Sequence, residues 1–277
     1  MHKAECFDKK GISLHEFRSE VVEELGLIFV TFSSTINSIN ERLATLIARS
    51  KSRGWDLKDQ VVVDIDPQSN NYNWKAQAET YAESYHHLGG HETTIEKALP
   101  AAMSSCEEDK GTWTMSHARL TDQPTKLNAV ERDVYNAFAN GANPGDVVLE
   151  MIIIYPLTLI AIFKDSCDVR LLRPLAADLT ESTALVTCRR EHQQSEDFPQ
   201  WLADYEHGSR MVNDEDNAIN RMQQIGVSSA FATVGRFSHL EACAFHLADY
   251  VRKGVRTYTQ DAGATAEATP KASLAVQ

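Results

Sequence analysis

The chain switches between two hydrophobic periods. Gly26–Phe32 (GLIFVTF) is an apolar, β-rich run that follows Glu23 and Glu24, and it predicts a strand. From Ser33 to Lys51, Ile36, Ile39, Leu43, Leu46 and Ile47 recur at helical spacing and predict an amphipathic helix. Trp55–Pro67 (WDLKDQVVVDIDP) alternates around Val61, Val63 and Ile65, which predicts a strand ended by Pro67. Asn73–His87 contains neither Gly nor Pro and is helix-competent throughout. Gly89 and Gly90 are expected to break or distort that helix just before His91.

The middle of the chain is β-rich. Gly111–Leu120, Val147–Lys164, Cys167–Ala176 and Ser182–His192 have the length and β-branched content of sheet strands, separated by acidic and turn-forming residues. Helical patterns return over Trp201–Gly226 and His239–Gly254. Thr259–Gln277 is rich in Ala and Thr, lacks an apolar period and is expected to be a disordered tail. An antiparallel sheet followed by long C-terminal helices predicts an α+β, helix-grip-like fold, the sheet wrapping around a helix to enclose a cavity.

At 277 residues the chain has room for one large domain or two modest ones. Its net charge of −12, without a basic run of five, excludes general electrostatic attraction to nucleic acid or an anionic membrane. The longest apolar stretch, Met151–Phe163, is thirteen residues long and contains Pro156. A spanning helix needs about 20, so the stretch reads as buried core. The N-terminal MHKAECFDKK has no apolar signal region, and a cytoplasmic location is the expectation. Five scattered cysteines without a CxxC pair suit free thiols in a reducing compartment.

The segment that carries chemistry is Glu83-Ser-Tyr-His86-His87-Leu-Gly-Gly-His91. Glu83 and His86 share a face at i, i+3. His91, five residues beyond His86, would point roughly 140° away on an ideal helix, and the glycines permit the distortion that returns it. Two neutral imidazoles then need a carboxylate to make a two-His-one-carboxylate face on Fe(II) with open positions. Asp216 is the candidate third ligand, with Asp214 and Glu215 as rivals in the same run.

The stretch NWKAQAETYAESYHHLGGH (Asn73–His91) resembles the iron-binding segment of the catalytic domain of Rieske non-haem iron oxygenases, the aromatic-ring-hydroxylating dioxygenase large subunits and related monooxygenases. Asn73-Trp74-Lys75, Glu79, Glu83, His86 and His91 match that pattern, and Glu215-Asp216 with Gln224-Ile225-Gly226 matches its later part. Gly235-Arg236-Phe237-Ser238 and Glu241 are similar to the closing motif, and GLIFVTF to the last strand of the family's Rieske domain. One departure is Thr80, where many members have Asn.

The resemblance implies that His86, His91 and Asp216 ligate Fe(II) and that Glu83 is the bridging carboxylate, receiving electrons from a Rieske cluster on a neighbouring subunit of a homotrimer. It implies an oxygenase that hydroxylates or oxidatively dealkylates an aromatic or other small organic substrate with O2, fed through ferredoxin or Rieske and reductase partners. It divides the chain into 1–35, the end of a Rieske domain; 36–258, the catalytic domain; and 259–277, the tail. A [2Fe–2S] Rieske centre needs two Cys and two His. The chain has no C-x-H, and its one C-x-x-H, Cys243–His246, reads as packing in the terminal helix. The cluster is therefore expected on a partner chain, unless the reading frame is truncated.

Two other functions compete: a non-catalytic binding module of the same fold, and a zinc or iron hydrolase on the same ligands that turns over without O2 or reductant. Of the remaining residues, His87 is expected behind the ligands or on the cavity wall rather than as a ligand, and His117, His192 and His207 at the surface. His239 and His246 are expected to pack, Glu107-Glu108-Asp109 to form a solvated turn, and Trp113, Tyr155 and Phe163 to lie in the core or line the pocket.

Overall fold

The structure is a computed structural model that describes residues 14, 16–33, 35–53 and 55–267. The chain forms two compact units that divide between Gln60 and Val61. In the first, β1 (Arg18–Val22) and β2 (Leu27–Thr31) form an antiparallel hairpin, and Gly26 leaves its connecting turn at φ +61°, where a side chain would be strained. The helical pattern that follows becomes α1 (Ile39–Arg42) and α2 (Ala44–Arg53). Val22, Leu25, Leu43, Leu46, Trp55 and Leu57 are its buried hydrophobic residues among those described.

The second unit holds β3 (Gln60–Asn70), α3 (Trp74–Ala82), α4 (His87–Gly90), β4 (Ser105–Cys106), β5 (Trp113–Arg119) and α5 (Ala129–Ala139). It continues with β6 (Val147–Ile154), β7 (Thr158–Ile162), β8 (Ser166–Ala176), β9 (Leu179–Arg189), α6 (Arg190–Gln193), α7 (Phe198–Val227) and α8 (Ala242–Glu267). A seven-stranded sheet runs in the order β3-β9-β8-β7-β6-β5-β4, antiparallel from β9 through β4. The mixed helix and antiparallel sheet, closed by a C-terminal helix, is the α+β arrangement expected.

Several boundaries differ from expectation for local reasons. Val147–Lys164 splits into β6 and β7 at a turn around Pro156. β3 runs past Pro67 to Asn70, so Pro67 does not end the strand. α5 is an element the hydrophobic pattern did not announce. Its start signal was present, however: Asn128 accepts the Glu131 N–H while Glu131 accepts the Asn128 N–H, a capping box. α8 reaches Glu267, inside the segment expected to be a tail. Residues 268–277 and the N-terminal 1–13 lie outside the described residues.

Strand alternation decides what the sheet presents to the helices. At one end of its inner face, Ile153, Leu159 and Leu172 pack with Ala78 and Ala82 of α3 and with Cys243, Ala244 and Leu247 of α8. Further along the same face, Leu149, Met151, Ala161, Asp168 and Arg170 line a cavity of about 470 Å³ with residues of α3, α5 and α7. The helices stand off the sheet there, leaving space in the interior.

Two cysteines depart from the free-thiol expectation. Cys106 of β4 and Cys243 of α8, 137 residues apart, are joined as a disulfide, while Cys167 and Cys188 are free and buried. Cys6 lies outside the described residues. His117 is buried rather than at the surface, its Nε2 3.1 Å from Glu107 Oε1 and its Nδ1 3.6 Å from Glu150 Oε1. Glu107 is thus a partner of His117 rather than part of a fully solvated turn.

Candidate metal centre

α3 begins where the Asn73 side chain accepts the Lys75 N–H at 3.0 Å. A row of polar contacts then sets α3 against α7. Asn73 N–H donates to Gln224 Oε1 at 2.8 Å, and the Tyr72 hydroxyl to Asn217 Oδ1 at 2.5 Å. The Thr80 hydroxyl donates to Asn220 Oδ1 at 2.7 Å, with both residues buried. Burial pushes the Tyr72 phenol up to about 12, so it stays a hydrogen-bond donor. Burial also raises the Glu79 carboxyl, which sits opposite the Gln223 amide.

α3 ends at Ala82 because Glu83 turns to extended backbone (φ −141°, ψ 167°). Its carboxylate accepts the backbone N–H of Tyr85 and, at 3.1 Å, that of His86. It thereby takes donors that a continuing helix would have used. The break therefore lies at Glu83–His86, ahead of the glycines, and neither Gly89 nor Gly90 has positive φ. What Gly90 supplies is proximity: a Cβ there would lie 2.1 Å from Ile219 Cδ1 of α7, whereas one on Gly89 would meet nothing within 4 Å.

The turn brings three of the candidate residues together. His86, His91 and Asp216 each offer a donor atom, all within 4.8 Å of one another. Asp216 Oδ1 is 2.9 Å from His91 Nε2 and 3.5 Å from His86 Nε2. The other ring nitrogens are occupied: His86 Nδ1 lies 2.9 Å from Glu83 Oε1, and His91 Nδ1 2.6 Å from Glu215 Oε2. Thr94 donates to the same Glu215 oxygen at 2.8 Å. Of the two rivals for the third position, Glu215 is therefore committed to His91 Nδ1 and Asp214 is exposed.

Two imidazoles whose Nδ1 atoms are held by carboxylates present basic Nε2 atoms in fixed orientation, the usual preparation of a histidine for a metal. Two nitrogens and one carboxylate oxygen on one side of an ion suit Fe(II) with positions left open. The residues present fit that ion. Burial acts to lower the His91 pKa, but Asp216 and Glu215 outweigh it and the net shift is upward. His87, packed at 4.7 Å from the His86 ring, is pushed down to about 3 by burial and by its two histidine neighbours. It is neutral at pH 7, its Nδ1 3.3 Å from the Leu99 carbonyl, and it lines the cavity as expected.

The three donor residues also line the 470 Å³ cavity. Leu99, Phe138, Leu149, Met151, Phe163 and Trp201 supply much of its wall, and Asp168 and Arg170 a buried charged pair at 3.5 Å. The sequence reading missed Asp168 and Arg170. Their only signal was a carboxylate and a guanidinium two residues apart within a strand.

The family model described as ring hydroxylating alpha subunit (catalytic domain) matches residues 52–257. Among solved structures, the quaternary ammonium Rieske monooxygenase CntA in complex with inhibitor MMV12 aligns with a TM-score of 0.67 at 15% identity, over 91% of this chain and 65% of that one. Naphthalene 1,2-dioxygenase from Rhodococcus sp. bound to indole aligns with a TM-score of 0.59 at 15% identity, over 86% and 65%. The chain thus spans just under two thirds of the length of both. No curated protein matches it.

Proposed function

The chain belongs to the ring-hydroxylating alpha-subunit family, as its catalytic domain, and from that membership we propose that it is an oxygenase component binding one Fe(II) through His86, His91 and Asp216. The observation that carries the reading is the convergence of their donor atoms within 4.8 Å at a cavity of about 470 Å³.

Bound there, iron supplies the activation of O2 beside the substrate. The protein's part is geometry and a dry pocket. Glu83 and Glu215 hold the two histidine Nδ1 atoms and so aim both Nε2 atoms at the ion. Asp216 offsets part of its charge. The apolar wall excludes water and suits a small organic substrate, aromatic or otherwise. Products of mono- or dihydroxylation, or of oxidative dealkylation, belong to this proposal. The two relatives named above are a quaternary ammonium monooxygenase and a naphthalene dioxygenase, and the substrate class of this chain lies within that range.

Glu83 is the proposed entry point for electrons. It is bonded directly to His86 and is 8% exposed, while its neighbours Tyr85 and Leu88 are 49% and 50% exposed, apolar surface against which a donor can dock. The donor is a [2Fe–2S] Rieske centre supplied in trans, with ferredoxin or reductase upstream, in a homotrimer. A cytoplasmic setting completes the proposal. Among the described residues no helix is long and apolar enough to cross a membrane.

Iron content tests the ligand set. The unmodified chain should hold one Fe(II) after anaerobic loading, and His86→Ala, His91→Ala and Asp216→Ala almost none, with unchanged far-ultraviolet circular dichroism. A full equivalent in His86→Ala and Asp216→Ala overturns the assignment. For Glu83, Glu83→Gln should keep its iron and lose the partner-driven reaction while retaining one driven by peroxide, which bypasses the electron path. Equal loss in both makes Glu83 a support for His86 instead. Absence of turnover by either route in the unmodified chain replaces the oxygenase with the binding module.

A further inference from the structure

We propose that Cys106, Cys243 and His246, in the reduced protein, form a second metal site for a thiophilic divalent ion such as zinc, separate from the proposed iron centre. Cys243 and His246 are one helical turn apart on α8 and share a face. Cys106 arrives from β4, the edge strand, where it pairs with Ser116 of β5. The two Sγ atoms and a ring nitrogen of His246 all lie within 4.8 Å of one another. His246 Nδ1 is 3.9 Å from Cys106 Sγ and 2.9 Å from the Thr114 hydroxyl, a hydrogen bond that the ion would displace. Cys243 is fully buried, whereas Cys106 and His246 are half-buried, so an ion can enter from their side.

The donor chemistry decides the ligand class. Two thiolates and an imidazole select zinc and other soft or borderline ions over the hard cations that carboxylates take. Zinc holds thiolates at about 2.3 Å and imidazole at about 2.0 Å, and two sulfurs on one such ion stand ~3.8 Å apart in a tetrahedron. The Cys106 and Cys243 Cα atoms, 6.0 Å apart, allow that separation by side-chain rotation. A water completes four-coordination. With one histidine in the group, the set falls short of the two Cys and two His of a Rieske centre.

Oxidation state gates the site, because the two sulfurs are bonded to each other here. A dithiol reductant delivers two electrons and two protons, is itself oxidised to its cyclic disulfide, and leaves two free thiols. Binding the ion then releases both protons to solvent. In a reducing compartment the ligating form is the resting one.

Cobalt(II) is the probe, because thiolate ligation gives a near-ultraviolet charge-transfer band that a site of histidine and carboxylate cannot produce. The full chain is reduced with dithiothreitol until all five cysteines titrate in denaturant, freed of reductant anaerobically, and titrated with Co(II). One equivalent showing that band, displaced by zinc and absent from the oxidised protein, is the expected result. Cys106→Ser, at a half-buried position on the edge strand, should abolish the band, and Cys243→Ser likewise. His246→Ala should weaken cobalt binding more than about tenfold, the loss that removing a group which merely orients a ligand already causes. No band in the reduced chain, or a band that survives Cys106→Ser, or equal affinity in His246→Ala, overturns the proposal.

Discussion

The adjacent glycines of α4 make opposite predictions, and the contrast tests how the candidate centre is positioned. An alanine Cβ at residue 90 would sit 2.1 Å from Ile219 Cδ1 and 3.2 Å from Cγ1. Ordinary carbon contacts are about 3.5–4.0 Å, so ~1.4 Å or more of movement must be found. Ile219 is half-buried and can give part of it by leaving its rotamer, at about 0.5–1.5 kcal/mol. Overpacking of this kind costs about 1–3 kcal/mol, and alanine returns up to ~1 kcal/mol of helix propensity. Gly90→Ala should therefore be destabilising by about 1 kcal/mol. Gly89→Ala meets nothing within 4 Å and should be neutral or stabilising by up to ~1 kcal/mol. A gap of about 2 kcal/mol corresponds to about 4–8 °C in Tm for a unit of this size. Ile219 is one turn beyond Asp216, so what moves Ile219 also shifts Asp216 against His91, and Gly90→Ala should lose iron affinity as well. Ile219→Val removes Cδ1, and the double variant should recover about 1–2 kcal/mol relative to additivity. Thermal unfolding of the four variants beside the unmodified chain decides it. Equal Tm for the two alanine variants, or no rescue by Ile219→Val, would refute the packing role of Gly90.

Thr80→Val removes the donor to buried Asn220 and should cost about 1–3 kcal/mol, read in chemical denaturation, while Asn220→Leu on top of it should recover part of that loss. His87 titrates near 6.5 unfolded but is pushed down to about 3 in the fold. The unfolded chain therefore binds the extra proton first, and stability is intact above 6.5 and falls as pH drops toward 3. The slope approaches about 1.4 kcal/mol per pH unit, and in iron-free protein His87→Gln should flatten it. Without a C-x-H motif, this 277-residue polypeptide should show no Rieske electron paramagnetic resonance signal after reduction, and such a signal would overturn the reading of its cluster ligands.

Local chemistry made part of this protein legible without coordinates. The strands from Gly111 to His192 announce themselves because β-branched content and spacing are properties of contiguous residues. The family's motifs locate His86, His91 and Asp216 because their spacing is held within short segments. What contiguity cannot report is which distant side chains share a space. The assignment of Glu215 to His91 Nδ1, with Asp216 left for Nε2, depends on how α7 lies against α4. The same packing turned Gly90 from an expected helix breaker into a point of close approach. Glu83 looked like one more helical residue, and only its carboxylate's capture of two backbone N–H groups shows that it ends the helix. Cys243 and His246 read as packing on α8 until the edge strand carried Cys106 beside them from 137 residues away. Sequence period determines most of the elements and their inner faces. The juxtaposition of side chains across elements, and hence each donor atom's partner, is decided by tertiary packing, because it depends on crossing positions that no local pattern encodes.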